Sequence, residues 1–341
     1  LYTRLGISRR NHQPFEVKFL NKSLKSLLKI ILPLLLGGVL VWYSLRKISF
    51  TELTDYFKNA NYYWIGLGVF LGLLSHLSRA YRWKYMIEPL GHELRFSNSV
   101  MAVFSAYLIN YTIPRAGEVS RATILSNYEK VPFEKGFGTI VAERVADVLV
   151  MMLIIGFTLI WQFEIIFDFL FKDFNFKSDW LPIIPVFSFL IYGGYLILKK
   201  SNHPLVKKAK SIMTGFFEGV TSIFKMKYKW SFISHTLFIW AMYVLMFYVT
   251  SFSIEAILEL PFSAILIGFI AASFTVAATN GGIGAYPLAV YAAFSIFNIA
   301  EAPSLAFGWI MWSSHTLLVV VVGGFSLIFL PIYNRIYPKT N

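Results

Sequence analysis

The sequence has no cysteine among its 341 residues, which excludes a disulfide scaffold, thiolate metal ligands and a cysteine nucleophile. Charge is scarce as well. Only 14% of residues are Asp, Glu, Lys or Arg, too few to coat a water-soluble surface of this size. The six histidines stand apart at positions 12, 76, 92, 203, 235 and 315, with no HExxH pair or comparable ligand spacing, so no metal site is expected. A GxSxG elbow, a phosphate-binding P-loop and a Rossmann fingerprint are also missing. What fills the chain is apolar: 57% of it is hydrophobic and the mean hydropathy is +0.61. That composition belongs to an integral membrane protein, in which most of the length goes into spans and short connections.

A hydrocarbon core of about 30 Å takes roughly 20 helical residues, so apolar runs near that length mark spans. Six stand out, at 27–45, 62–81, 137–162, 181–199, 230–252 and 305–330. Two further apolar regions, 97–128 and 261–298, are interrupted by Ile113-Pro114-Arg115-Ala116-Gly117-Glu118 and by Asn280-Gly281-Gly282-Ile283-Gly284. The expected fold is therefore an all-α polytopic membrane protein with about six full spans and two interrupted helix pairs or re-entrant hairpins.

Charge placement orients the chain. Residues 1–30 carry seven basic side chains against one acid and 199–229 carry eight against one, which puts both on the cytoplasmic side by the positive-inside rule. Residues 163–180, with four acids and two lysines, belong outside. These loops fall on their expected sides only if 97–128 enters from the cytoplasm and returns. The second break then enters from the opposite face, the pattern of an inverted repeat in a transporter, although no sequence repeat is visible. Residues 1–26 read as a basic cytoplasmic tail, 27–330 as one transmembrane domain and 331–341 as a cytoplasmic C-terminal tail. The net charge of +13 resides in cytoplasmic connections, where it meets an anionic membrane surface, and nothing in it calls for nucleic acid.

Ionisable residues inside spans are expensive and are normally turned inward and paired. Glu143 and Asp147 share a helix face at i, i+4, with Arg144 about 100° away. They form either an ion-pair clamp or a substrate contact. In the first break, Pro114 disfavours continued helix at Ile113 and Gly117 permits a turn, so a new helix starts near Ala116. Its N-terminus, with Asn110, Gly117 and Glu118 beside it and Arg115 and Arg121 nearby, makes an anion site suited to phosphate. The alternative is that Arg115, Glu118 and Arg121 neutralise one another on an interfacial turn. In the second break Asn280, Gly281, Gly282 and Gly284 either present a second helix N-terminus to the same anion or simply allow close packing. Snorkelling at the cytoplasmic boundary accounts for Arg82, Trp83 and Lys84, whereas Arg79, a turn deeper, is a candidate contact for substrate or for an internal carboxylate.

The Arg-x-x-Arg-Trp at 79–83, Asn-x-x-x-Pro-Arg-x-Gly-Glu-x-x-Arg at 110–121, Glu-Arg-x-x-Asp at 143–147 and Gly-Gly-Ile-Gly at 281–284 occur in the order seen in one family. Together they resemble the transmembrane domain of lysylphosphatidylglycerol synthases and its stand-alone, flippase-like relatives. The resemblance implies a bacterial or archaeal cytoplasmic-membrane protein that moves lipids. It also implies, since only eleven residues follow Leu330, that the aminoacyl-transferase activity of fused members is not expected. Many relatives have a Glu shortly after the Gly-Gly-x-Gly where this chain has Tyr286-Pro287, so no carboxylate role carries over there. The expected function is transport of a phospholipid or polyprenyl-phosphate lipid without a cofactor. The competing readings are a lipid-modifying enzyme using Glu118 or Glu143 as acid or base, and a scaffold of an envelope pathway.

Overall fold

A computed structural model describes residues 31–164 except 34 and 114, residues 223–339, and scattered positions from 203 to 221. The span expected at 181–199, the acidic loop after Glu164, most of the Lys-rich loop and the N-terminal tail lie outside the described residues. Within them all regular structure is helical and no strand occurs. The helices are α1 (Ile31–Lys47), α2 (Phe50–Asn59), α3 (Tyr62–Ile87), α4 (Phe96–Thr112), α5 (Ala116–Glu129) and α6 (Phe133–Trp161), followed by α7 (Lys229–Ser251), α8 (Phe262–Ala278), α9 (Ala285–Ser295) and α10 (Glu301–Ile336).

Among the described residues two helices, α7 and α10, are long and apolar enough to cross a membrane. α3 and α6 have 26 and 29 residues, about 39 and 43 Å, but α3 carries Arg79, Arg82 and Lys84 and α6 carries Glu143, Arg144 and Asp147 in their length. α1 turns by 83° into the short, amphipathic α2, whose first turn is capped by the Ser49 hydroxyl accepting from the Glu52 N–H at 3.1 Å.

α3 and α7 form the most extensive helix pair and run antiparallel, with Gly68 against Thr250, Gly72 against Met246 and Arg82 against Thr236. The glycines let the two backbones approach where larger residues would hold them apart.

α4 and α5 make an antiparallel hairpin. Ile113 leaves the helix in extended geometry, as the following proline requires, and Arg115 turns the chain in the left-handed region. Asn110 accepts the Gly117 N–H at 2.8 Å, and a side chain at Gly117 would overlap the Ala106 carbonyl, so the arms are in contact at the tip. At the base Arg95 donates to Glu129 at 2.9 Å and to Asn334 at 2.7 Å, and Asn98 also donates to Glu129. Lys339 reaches the same carboxylate at 3.1 Å. The base of this hairpin is therefore tied to the C-terminal end of α10.

α8 and α9 make a second hairpin, turned by Gly281, Gly282 and Gly284, all at positive φ. Its base packs at the opposite end of α10, where Phe294 stacks on Phe307 at 5.7 Å and Lys47 pairs with Glu301 at 2.7 Å. The tips meet against the middle of α10. Trp312 donates to the Gly281 carbonyl at 2.8 Å, the Tyr111 and Thr316 hydroxyls lie 3.2 Å apart, and the Tyr111 ring sits on the bare Cα of Gly281. The hairpins thus approach along α10 from opposite ends, about 25 Å for α4 and about 16 Å for α9, and abut inside the helical mass.

Candidate functional site

Below the first tip lies a cluster of ionisable side chains drawn from three helices. Arg79 and Arg82 are i, i+3 on α3, Arg121 stands about 8 Å along α5 from its first residue, and Glu143, Arg144 and Asp147 occupy adjoining faces of α6. Arg79 donates to Glu143 at 2.7 Å and to Asp147 at 2.6 Å. Arg121 grips both oxygens of Glu143, at 3.1 and 3.0 Å, in the two-pronged geometry that makes arginine–carboxylate pairs strong. Arg144 donates to Glu143 at 3.1 Å, and Arg82 donates to Thr236 of α7 at 2.6 Å while lying 3.3 Å from Glu143. The guanidinium of Arg121 rests on the Trp83 ring at 3.8 Å, and Trp83 is fixed by donating to Thr139 at 2.8 Å.

Two features go beyond a neutral clamp. Four guanidiniums face two carboxylates, which leaves two positive charges in excess. In addition, the Nε–H of each of Arg79, Arg82, Arg121 and Arg144 is buried without a hydrogen-bond partner. Buried donors of this kind are normally satisfied, and these four are not. The cluster is closed on most sides, with Glu143 fully buried, but the Arg144 side chain is 42% exposed. Val141 and Val148, at i−3 and i+4 from Arg144, are exposed on the same face of α6, so the exposed part of Arg144 lies on an apolar surface.

The placement of the sequence candidates is uneven. Arg79, Arg121, Glu143, Arg144 and Asp147 come together. Arg115 is exposed at the tip, whereas Arg121 is buried, so the two do not share one environment. Glu118 is half-buried, with its oxygens 3.5 Å from the Asn110 amide, and the Gly117 N–H at the start of α5 is already taken by Asn110. Asn280 is buried with its amide nitrogen unpaired, while Gly281, Gly282 and Gly284 shape the second tip.

Arg82 and Trp83 need correction: neither snorkels, since both are fully buried, Arg82 in the cluster and Trp83 beneath Arg121. The signal for Arg82 was its i, i+3 relation to Arg79, which puts both on one face. His76 and His315 stand 239 residues apart in the chain, with nothing in their spacing to relate them, yet their rings meet beside the cluster, Nε2 to Nε2 at 3.1 Å.

Fold and site together define a membrane protein, helical throughout its described residues, with a buried, positively charged side-chain cluster between its helices. The chain belongs to the family described by the lysylphosphatidylglycerol synthase TM region, whose model matches residues 30–324. It is also similar to a UPF0104 membrane protein of Methanocaldococcus jannaschii, 27% identical over 138 residues, which are 38% of this chain. That match spans 41% of the relative, less than half its length. No solved structure matches the chain. Membership of this family points to a lipid-related role in a membrane.

Proposed function

We propose that the protein is a flippase-like transporter that moves a phosphate-bearing lipid, a phospholipid or a polyprenyl-phosphate lipid, across the cytoplasmic membrane of a bacterium or archaeon, with both chain termini on the cytoplasmic side. The observation that carries this reading is the doubly positive cluster with four unpaired Nε donors. A phosphate brings negative charge and several acceptor oxygens, the complement of what is left over. The exposure of Arg144 on an apolar face of α6 favours an anion attached to acyl or prenyl chains over a soluble one, because the chains can remain in hydrocarbon while the headgroup meets the guanidinium.

In this reading Arg79, Arg82, Arg121 and Arg144 bind the phosphate, and Glu143 and Asp147 hold those arginines in place. The tips, with Asn110, Arg115, Gly117, Glu118 and Asn280–Gly284, form the part that moves to expose the site to one leaflet or the other, the role discontinuous helices play in transporters built of opposed hairpins. An enzyme reading has less behind it, since the Glu143 oxygens already accept from Arg79, Arg121 and Arg144.

The test is Arg144→Gln, chosen because a half-exposed residue can be replaced with little cost to folding. Full-length protein in proteoliposomes should translocate fluorescent phosphatidic acid roughly 10- to 150-fold more slowly as the variant, the loss of one charged hydrogen bond of roughly 1.5–3 kcal/mol. Equal rates in a variant of unchanged thermal stability would refute the site.

A further inference from the structure

Beside the arginine cluster is a second group of titratable side chains that phosphate binding does not use. His76 of α3 and His315 of α10 face each other with their Nε2 atoms 3.1 Å apart. On its other side, the His76 Nδ1 lies 3.4 Å from the Tyr243 hydroxyl of α7. Phe104 and Tyr107 of α4 close the pocket, with ring centroids 5.2 and 4.9 Å from that of His76. Among the described residues the charged groups near this pocket are Arg79, one turn along α3 on the same face as His76, Arg144 of α6, which acts on Tyr107, and behind Arg79 the Glu143 and Asp147 carboxylates that it holds.

Two ring nitrogens at 3.1 Å can be hydrogen-bonded only if one proton lies between them. The neutral pair meets this with one ring as Nε2–H donor and the other as acceptor. Adding a proton gives an imidazolium donating to an imidazole, a charge-assisted version of the same contact, and therefore a stronger one. A second added proton would set two N–H groups against each other and part the rings. The geometry accommodates one extra proton.

The position of the pair gives that proton a consequence. His76 shares its helix face with Arg79. His315 lies next to Thr316 and three residues from Trp312, the two α10 side chains that hold the hairpin tips. We propose that the His76–His315 pair is a one-proton binding site linked to anion occupancy of the arginine cluster, so that the anion and a proton load together. This rests on the phosphate-binding reading above. An anion seated among the arginines cancels their excess charge and favours a proton on the histidines. By thermodynamic reciprocity the proton strengthens anion binding by the same factor, which for coupled sites is roughly 5- to 150-fold.

The test follows the two rings by nitrogen NMR in full-length, histidine-labelled protein, from pH 4 to 9, in phosphatidylcholine nanodiscs with and without phosphatidic acid. His76→Gln and His315→Gln assign the signals. One shared titration step, lost from the remaining ring when either histidine is replaced, and moved upward by about one pH unit by phosphatidic acid, is the expected result. Rings that titrate independently, or not at all, would overturn the proton site. A shared step that does not move although phosphatidic acid binds would overturn the linkage. If phosphatidic acid fails to bind the unaltered protein, the phosphate reading fails, and the phosphatidylcholine titration alone decides whether the pair takes its proton.

Discussion

Glu143 accepts hydrogen bonds from arginines on α3, α5 and α6, and so joins three helices at one carboxylate. Its removal leaves guanidiniums buried without their partner, and breaking a buried pair in this way costs about 3–5 kcal/mol. Glu143→Gln is therefore expected to lower the thermal stability of the purified protein sharply, as measured by unfolding in detergent. Replacing Arg121 as well, in the double variant Arg121→Gln with Glu143→Gln, should recover much of the loss, because the two form the bidentate pair. A double variant as unstable as the sum of its singles would mean that the pair is not coupled. The types and positions of these residues were legible in the sequence, since charges in an apolar run announce themselves. Which arginine would meet which carboxylate was not. Arg79 and Glu143 are 64 residues apart, and helix periodicity relates only positions on one helix.

At the scale of elements, both hairpins are specified by local backbone chemistry. Pro114 forces Ile113 out of the helix, and Gly281, Gly282 and Gly284 take up positive φ at the second turn. Gly284 is the most constrained of these, because a Cβ there would overlap the backbone of Leu40 and Val41 in α1. Gly284→Ala combines a left-handed residue, about 1–2 kcal/mol, with overpacking of about 1–3 kcal/mol. It should destabilise the fold measurably more than Gly138→Ala on α6, where the added methyl meets nothing within 4 Å. Similar losses for the two would show that the second tip yields at α1. The sequence marked where the helices break, because proline and glycine act on their own φ and ψ. It could not say that the two breaks touch, nor that Arg115 faces outward while Arg121 faces in.

Across the whole molecule, opposed hairpins anchored at the two ends of α10 leave their tips and the arginine cluster held by α3, α6, α7 and α10. A ligand that binds between them should tighten the entire bundle. Phosphatidic acid at about one hundred times its dissociation constant is expected to stabilise the protein by about 2.7 kcal/mol, read as a rise in unfolding temperature. Phosphatidylcholine should do much less, and the gain should shrink in Arg144→Gln. Equal stabilisation by both lipids would argue for a general bilayer effect and against a phosphate site.

The amino-acid order alone determined that this is a helical membrane protein, where its helices break, and which ionisable residues enter its apolar regions. Those properties follow from hydropathy, from the φ restriction of proline and the freedom of glycine, all of which act over a few residues. Tertiary structure decided that Arg82 and Trp83 are buried, that four arginines converge on two carboxylates with charge to spare, and that His76 meets His315, 239 residues away in the chain. Charge neutralisation and hydrogen bonding in a buried site depend on which helices pack side by side, and that packing is a property of the assembled bundle.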